Sequence, residues 1–188
     1  AFGSPNWLEF DPKYPHLVYV AADRGAGDEN EGNGNMRILD LKNQYVGTAL
    51  TEGDMGGTNR GRALAFFDEN HMAVAVDQGD ELRAAVYGFT RNREAPEGDE
   101  RNYKMWGNRL ALVNFKACNT VTFHPVDGDM YFNSWDKGQF FKVEKQQIQE
   151  IFDGTRTTPA DKEVLFQMDN GWEYNCLLYT SDAADDRI

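Results

Sequence analysis

The sequence predicts an all-β chain: a partial β-propeller of about three four-stranded blades plus the start of a fourth. Three observations predict it. The apolar segments come in short runs, with 18 Gly and 13% aromatics in 188 residues, which favours strands and tight turns over long helices. A pattern of paired strand-like runs returns at a period of about 56 residues. Each unit then offers four strand candidates, and four short strands per repeat of this size are the signature of a propeller blade.

In the first unit, Asn6–Pro12 and Leu17–Gly25 pair across a Pro-rich turn, followed by Met36–Leu41 and Tyr45–Leu50. The second unit reads Ala63–Asp68, Met72–Gly79, Ala84–Arg91 and Leu110–Phe115; the third reads Asn119–Pro125, Met130–Gly138, Phe140–Glu144 and Glu163–Met168. Anchoring on the last aromatic of each first strand, Phe10, Phe67 and Phe123, gives separations of 57 and 56 residues. Turn triplets opening at Asp23, Asp77 and Asp136 are separated by 54 and 59. A fourth copy begins at Gly171–Asn175, Asn175 lying 56 residues beyond Asn119. Only Glu144–Phe152 has helical periodicity, which argues against a strand-and-helix repeat. The blades therefore run over approximately 6–58, 59–118 and 119–170, with a stub at 171–175. A blade has two faces to cover and must stack on neighbours. Since propellers close with about four to eight blades, three and a stub make about half a ring, whose stability in isolation is in question.

The chain opens at Ala1 with no initiator Met and no charged-then-apolar leader, so it speaks neither for nor against a signal peptide. Residues 176–188 change composition abruptly and resemble translated sequencing-adapter read-through, as at the end of a metagenomic fragment. Setting them aside moves the net charge from −12 to −10 and leaves Cys118 alone, unable to form an internal disulfide. Lys plus Arg number 19 against 31 Asp plus Glu, a balance that repels a phosphate backbone, so no nucleic-acid partner is expected. No window approaches the roughly 18 consecutive apolar residues of a membrane span.

Antiparallel neighbours bring the start of a first strand and the end of a second to one edge of the blade. Trp7, Asn119 and Trp172 lie at first-strand starts, Asp23, Asp77, Trp135 and Asp136 at second-strand ends, and Arg60 and Arg62 precede the second blade's first strand. In a ring these nine residues surround one mouth of the channel. Aromatic faces, carboxylates, amides and guanidinium groups there suit a polar ligand with apolar faces, such as a sugar. Structural roles compete: Asp-x-Gly is also a turn device, Trp7 and Trp172 can pack between blades, and Asn at strand starts can bond to backbone. Trp135, beside a turn, is the better stacking platform.

Local catalytic and metal motifs are absent from the sequence. His16, His71 and His124 have no metal-ligand spacing, and neither His-Glu-x-x-His nor Cys-x-x-Cys occurs. The Gly-rich 53–61 segment lacks the Gly-Lys-Ser/Thr ending of a phosphate loop and reads as an interblade connection. The acidic 28–35 loop has oxygen ligands that would attract calcium, yet Gly32 stands at a ligand position and no Glu closes the loop. No cofactor is assigned, calcium being the one considered. The 91–102 stretch alternates charge sign and reads as a long exposed insertion, with the length to fold over the ring as a ligand-binding loop.

Residues 2–12, the Ile38–Lys42 strand, the Phe123–Tyr131 turn and Asp169–Tyr174 resemble NHL-like six-bladed β-propellers. More specifically, they resemble bacterial surface proteins in which an IPT/TIG immunoglobulin-like module precedes such a propeller. The resemblance covers about 1–175 and implies an exported, extracellular or cell-surface protein with a polysaccharide, oligosaccharide or surface-protein partner. The IPT/TIG module itself is not in this sequence. Two function classes follow: a non-catalytic binding or scaffold propeller for carbohydrate, or a propeller enzyme such as a calcium-dependent lactonase-like hydrolase or a lyase. The second needs Asp23, Asp77, Asp136 and Asn119 to converge on the channel axis.

Overall fold

The computed structural model describes residues 5–22, 35–56, 61–76, 84–97, 102–115, 118–134 and 138–167. Among the described residues, three four-stranded antiparallel sheets follow one another, each a meander. The first holds β1 (Pro5–Phe10), β2 (Leu17–Ala22), β3 (Met36–Asp40) and β4 (Tyr45–Leu50). The second holds β5 (Gly61–Phe66), β6 (His71–Val76), β7 (Ala84–Arg91) and β8 (Trp106–Asn114). The third holds β9 (Cys118–Phe123), β10 (Met130–Ser134), β11 (Gln139–Val143) and β12 (Glu163–Gln167), with helix α1 (Lys145–Phe152) between the last two strands. The chain is a partial β-propeller, and the first strands β1, β5 and β9 lie against one another along the inner side of the stack.

The second sheet shows why these residues form blades. Along β5 and β6, Leu64, Phe66, Met72, Val74 and Val76 pack toward the first sheet, while Ala63, Ala65, Ala73 and Ala75 pack toward the third. That is the two-residue period of a strand with both faces buried. The third sheet fills the space left by the alanines with Val121, Met130, Phe132, Phe141 and Val143. Large residues on one face thus meet small ones on the next, and two interblade cores replace a single central one.

The strand registers correct the repeat phase by one residue. Phe10 pairs with Val18, Phe66 with Met72 and Phe123 with Met130, so Phe66, not Phe67, is the equivalent position, and the separations become 56 and 57. Phe67 sits in the turn, its N–H donating to the His71 carbonyl at 2.9 Å. Two consecutive phenylalanines left this choice open to the sequence. The fourth strand of the second blade also starts earlier than expected, at Trp106 rather than Leu110.

Each later blade laps back over its predecessor. From the second blade, the 92–105 strap places Tyr103, Met105 and Ala95 in the first-blade core. From the third, α1 carries Phe152 onto the second blade, where its ring lies 4.4 Å from His71, and the Ala160 N–H donates to the Leu112 carbonyl at 2.8 Å. The Asp129 carboxylate on the β9–β10 turn accepts the Lys145 N–H at 2.8 Å, supplying from a neighbouring element the cap that Glu144 does not give. Glycines make room for both laps. A Cβ on Gly47 of β4 would stand 2.7 Å from Tyr103 Cδ2, and one on Gly88 of β7 would stand 2.8 Å from Phe152 Cε1.

Candidate functional site

At the edge where first strands begin, all three inner strands bulge at one position. Pro5 pairs with Ala22 and Trp7 with Ala21; Gly61 pairs with Val76 and Ala63 with Ala75; Cys118 pairs with Ser134 and Thr120 with Asn133. The extra residues are Asn6, Arg62 and Asn119, in phase with Phe10, Phe66 and Phe123. A bulge bends the strand and re-aims a side chain, and bulges concentrate beside binding sites. In the third blade the fully buried Asn133 secures the distortion: its Oδ1 accepts the Thr120 N–H at 2.9 Å and the Thr120 hydroxyl at 2.8 Å.

Three of the sequence-predicted site residues fall within the described structure. Trp7 is half-buried, and its indole N–H donates to the Leu64 carbonyl at 2.8 Å, using its polar group across the seam between the first two blades. Arg62 and Asn119 are half-buried at their bulges. Asp23, Arg60, Asp77, Trp135, Asp136 and Trp172 lie outside the described residues, as do Asn175 and 28–34 of the acidic loop. The register brings Arg62 and Asn119 to equivalent places in adjacent strands, and Trp7 one step further along its own.

The opposite edge carries a polar network that sequence reasoning did not single out. Asp11, just past β1, accepts the backbone N–H groups of Lys13 and Tyr14 at 2.9 and 3.0 Å. Its carboxylate also takes both hydrogen bonds from Arg91 Nη2, at 2.9 and 3.0 Å, and the Tyr19 hydroxyl at 3.0 Å. Trp106 Nε1 donates to the Tyr19 oxygen at 2.8 Å. The Arg91 guanidinium lies 4.4 Å from the Trp106 ring centroid and 5.2 Å from that of Tyr14. The Asp11 and Arg91 side chains are only 0% and 2% exposed, so this ion pair between blades is charge-assisted and shielded from solvent. Burial, followed by the Asp11 charge, drives the Tyr19 hydroxyl well above the usual tyrosine range. The sequence signal was weak: Arg91 opens a charged stretch, and its partner lies 80 residues away.

A second carboxylate fixes the strap. Asp40 accepts the N–H groups of Lys42 and Asn43, each at 2.9 Å, the Asn43 side-chain amide at 2.7 Å and the Tyr103 hydroxyl at 2.7 Å. Burial alone would raise the Asp40 pKa, but the bonds from Asn43 and Tyr103 outweigh it and lower the value. The same burial, with the bond to Asp40, pushes Tyr103 up to about 12. The described parts of the strap, 92–97 and 102–105, therefore lie at the edge opposite the first-strand starts, bonded to the first blade. Lys13 donates to Glu94 at 2.9 Å, and the Tyr14 hydroxyl bonds the same carboxylate. Between strap and turns opens a cleft of about 520 Å³, to which Tyr14, His16, Lys42, Asn43, Glu94 and Glu97 contribute.

The other two histidines sit at turns. His71 Nδ1 lies 3.0 Å from both Asp68 oxygens, and His124 Nδ1 lies 3.0 Å from Asp127. Among the described residues no group of three or more His, Cys, Asp or Glu side chains has the arrangement to hold a metal ion. Nor is any helix among them long and apolar enough to cross a membrane.

No protein-family model matches the chain, and no curated protein sequence matches it. Solved structures do. An auxiliary nutrient binding protein from Bacteroides thetaiotaomicron is 26% identical with a TM-score of 0.63, over 92% of this chain and 32% of that one. A second protein of the same organism, named as a candidate phosphatase, is also 26% identical, with a TM-score of 0.70 over 92% of this chain and 37% of that one. A gluconolactonase from Xanthomonas campestris shares the fold at 12% identity and a TM-score of 0.56, over 87% of this chain and 47% of its own. The chain thus spans about a third of the length of the two Bacteroides proteins it resembles.

Proposed function

We propose that the chain is part of a non-catalytic, ligand-binding propeller of an exported bacterial surface protein, and that its ligand is a soluble glycan taken at the mouth where the first strands begin. The repeated bulge carries this reading. One inner-strand position, filled by Asn6, Arg62 and Asn119, is distorted in the same way in three consecutive blades. The residue types of Arg62 and Asn119 carry donors and acceptors suited to sugar hydroxyls, and Trp135, which follows β10 in the sequence, would supply a stacking face. Similarity to a nutrient binding protein supports a binding role. The lactonase reading draws only on a shared fold, which does not carry function.

Calorimetry of the 188-residue chain against a panel of soluble glycans, with and without calcium, tests this. Saturable binding that weakens about tenfold, equivalent to about 1.4 kcal/mol, in each of Asn119→Ala and Trp135→Ala is the expected result. Absence of glycan binding, together with calcium-dependent hydrolysis of lactones, would replace it with the enzyme reading.

A further inference from the structure

We infer that the cleft between the strap and the first-blade turns is a second ligand site, separate from the mouth, and that it takes a short zwitterionic peptide with free termini. The two sites lie at opposite edges of the sheets: Asn119 stands at a first-strand start, whereas Tyr14, His16, Lys42 and Asn43 belong to the turns at the other ends of the strands. The cleft's volume of about 520 Å³ falls within the range of about 300 to 1,000 Å³ that holds small ligands.

Its walls are fixed before any ligand arrives. Asp40 holds the Lys42–Asn43 turn and, through Tyr103, the strap. Glu94 is held by Lys13 and Tyr14. Such preorganisation lowers the ordering cost of binding. Fixing the walls also consumes their polar groups selectively. Among the described residues, the Lys42 ammonium and the Glu97 carboxylate have no ion-pair partner, and Asn43, whose amide donates to Asp40, keeps its carbonyl oxygen for another donor. Lys42 comes from a turn and Glu97 from the strap, so opposite charges enter the cleft from different elements.

A neutral sugar fits this chemistry poorly. Sugar sites rely on an open aromatic face, but the Tyr14 ring already has the Lys13 ammonium at 5.7 Å and the Arg91 guanidinium at 5.2 Å from its centroid, and its hydroxyl is bonded to Glu94. A ligand carrying both signs answers both unpartnered charges. A peptide carboxylate pairs with Lys42 and His16, and its ammonium with Glu97 and the Asn43 carbonyl. Ala95 and Pro96 give apolar contact to the chain between the termini.

Calorimetry with trialanine as the probe decides the matter, with N-acetyl-trialanine amide and maltotriose as comparison ligands. The expected result is saturable trialanine binding, weakened about tenfold in Lys42→Gln and in Glu97→Gln, weakened further in the doubly blocked peptide, and unchanged in Asn119→Ala. No trialanine binding at millimolar concentration overturns the proposal, as does equal binding of the blocked peptide. Maltotriose competing for the cleft overturns the ligand class. The blocked peptide keeps the test independent of any effect of the substitutions on folding.

Discussion

At the scale of single residues, the buried Asp11–Arg91 pair bridges the first two blades. Two charges withdrawn from water are sustained only while each compensates the other. Arg91→Met would leave the Asp11 carboxylate buried among Tyr19 and Trp106 without its counter-ion. It should cost about 3–5 kcal/mol, read from the urea midpoint. Arg156→Met, whose partner Asp161 is largely exposed, should cost under about 1 kcal/mol. Equal losses would show that the buried pair has no special weight. Tyr103 gives a pH test. Its hydroxyl titrates at about 12 in the fold against an ordinary 10.0, so the fold favours the protonated form. That contribution is complete below pH 10 and is lost as pH rises from about 10 toward 12. Urea midpoints between pH 9 and 11.5 should fall less steeply in Tyr103→Phe than in the native chain; parallel slopes would detach the tyrosine from strap stability. None of these residues was legible as a site in the sequence. Arg91 and Asp11 are 80 positions apart, and only the stacking of blades brings them together.

At the scale of elements, the two-residue alternation made nearly every strand readable, and a single apolar helical period marked α1. Phase was harder than existence, because adjacent Phe66 and Phe67 both look like the end of a strand. The charges of the 91–102 stretch marked exposure, and Asn92, Glu94, Glu97 and Asn102 are exposed; what they did not show is that Tyr103 and Met105, which follow, are buried and anchor the strap to the first blade. Backbone room for each lap comes from glycine. Gly47→Ala and Gly88→Ala, on unrelated strands, should therefore each cost about 1–3 kcal/mol through overpacking against Tyr103 and Phe152. Gly53→Ala, whose added Cβ would meet only Thr51 Oγ1 at 3.6 Å, should change stability by no more than about 0.5 kcal/mol. Thermal melts of the three variants separate the readings: comparable shifts in all three would mean that chain entropy, not the laps, governs these positions.

At the scale of the whole molecule, equivalent residues meet unequal surroundings. Leu8, Leu64 and Val121 hold one register position in β1, β5 and β9, and Phe10, Phe66 and Phe123 the next one on the same face. Leu64 and Val121 are fully buried against the preceding blade, whereas Leu8 is 61% and Phe10 60% exposed. Burying side chains of this size is worth about 1.5–3 kcal/mol each, so the face of β1 has the composition of an interblade contact without one among the described residues. Net charge of −12 opposes association of copies, but this repulsion acts over about a Debye length and is screened by salt. The 188-residue chain should therefore self-associate increasingly as ionic strength rises, in sedimentation velocity at fixed protein concentration. Leu8→Lys with Phe10→Lys should hold it monomeric under the same conditions while leaving the urea midpoint within about 1 kcal/mol of native, since both side chains are already exposed. The same charge at Leu64 should unfold the first seam, because Leu64 is buried against the first blade. If the double variant associates as strongly as the native chain, the exposed face of β1 is not the surface that drives association.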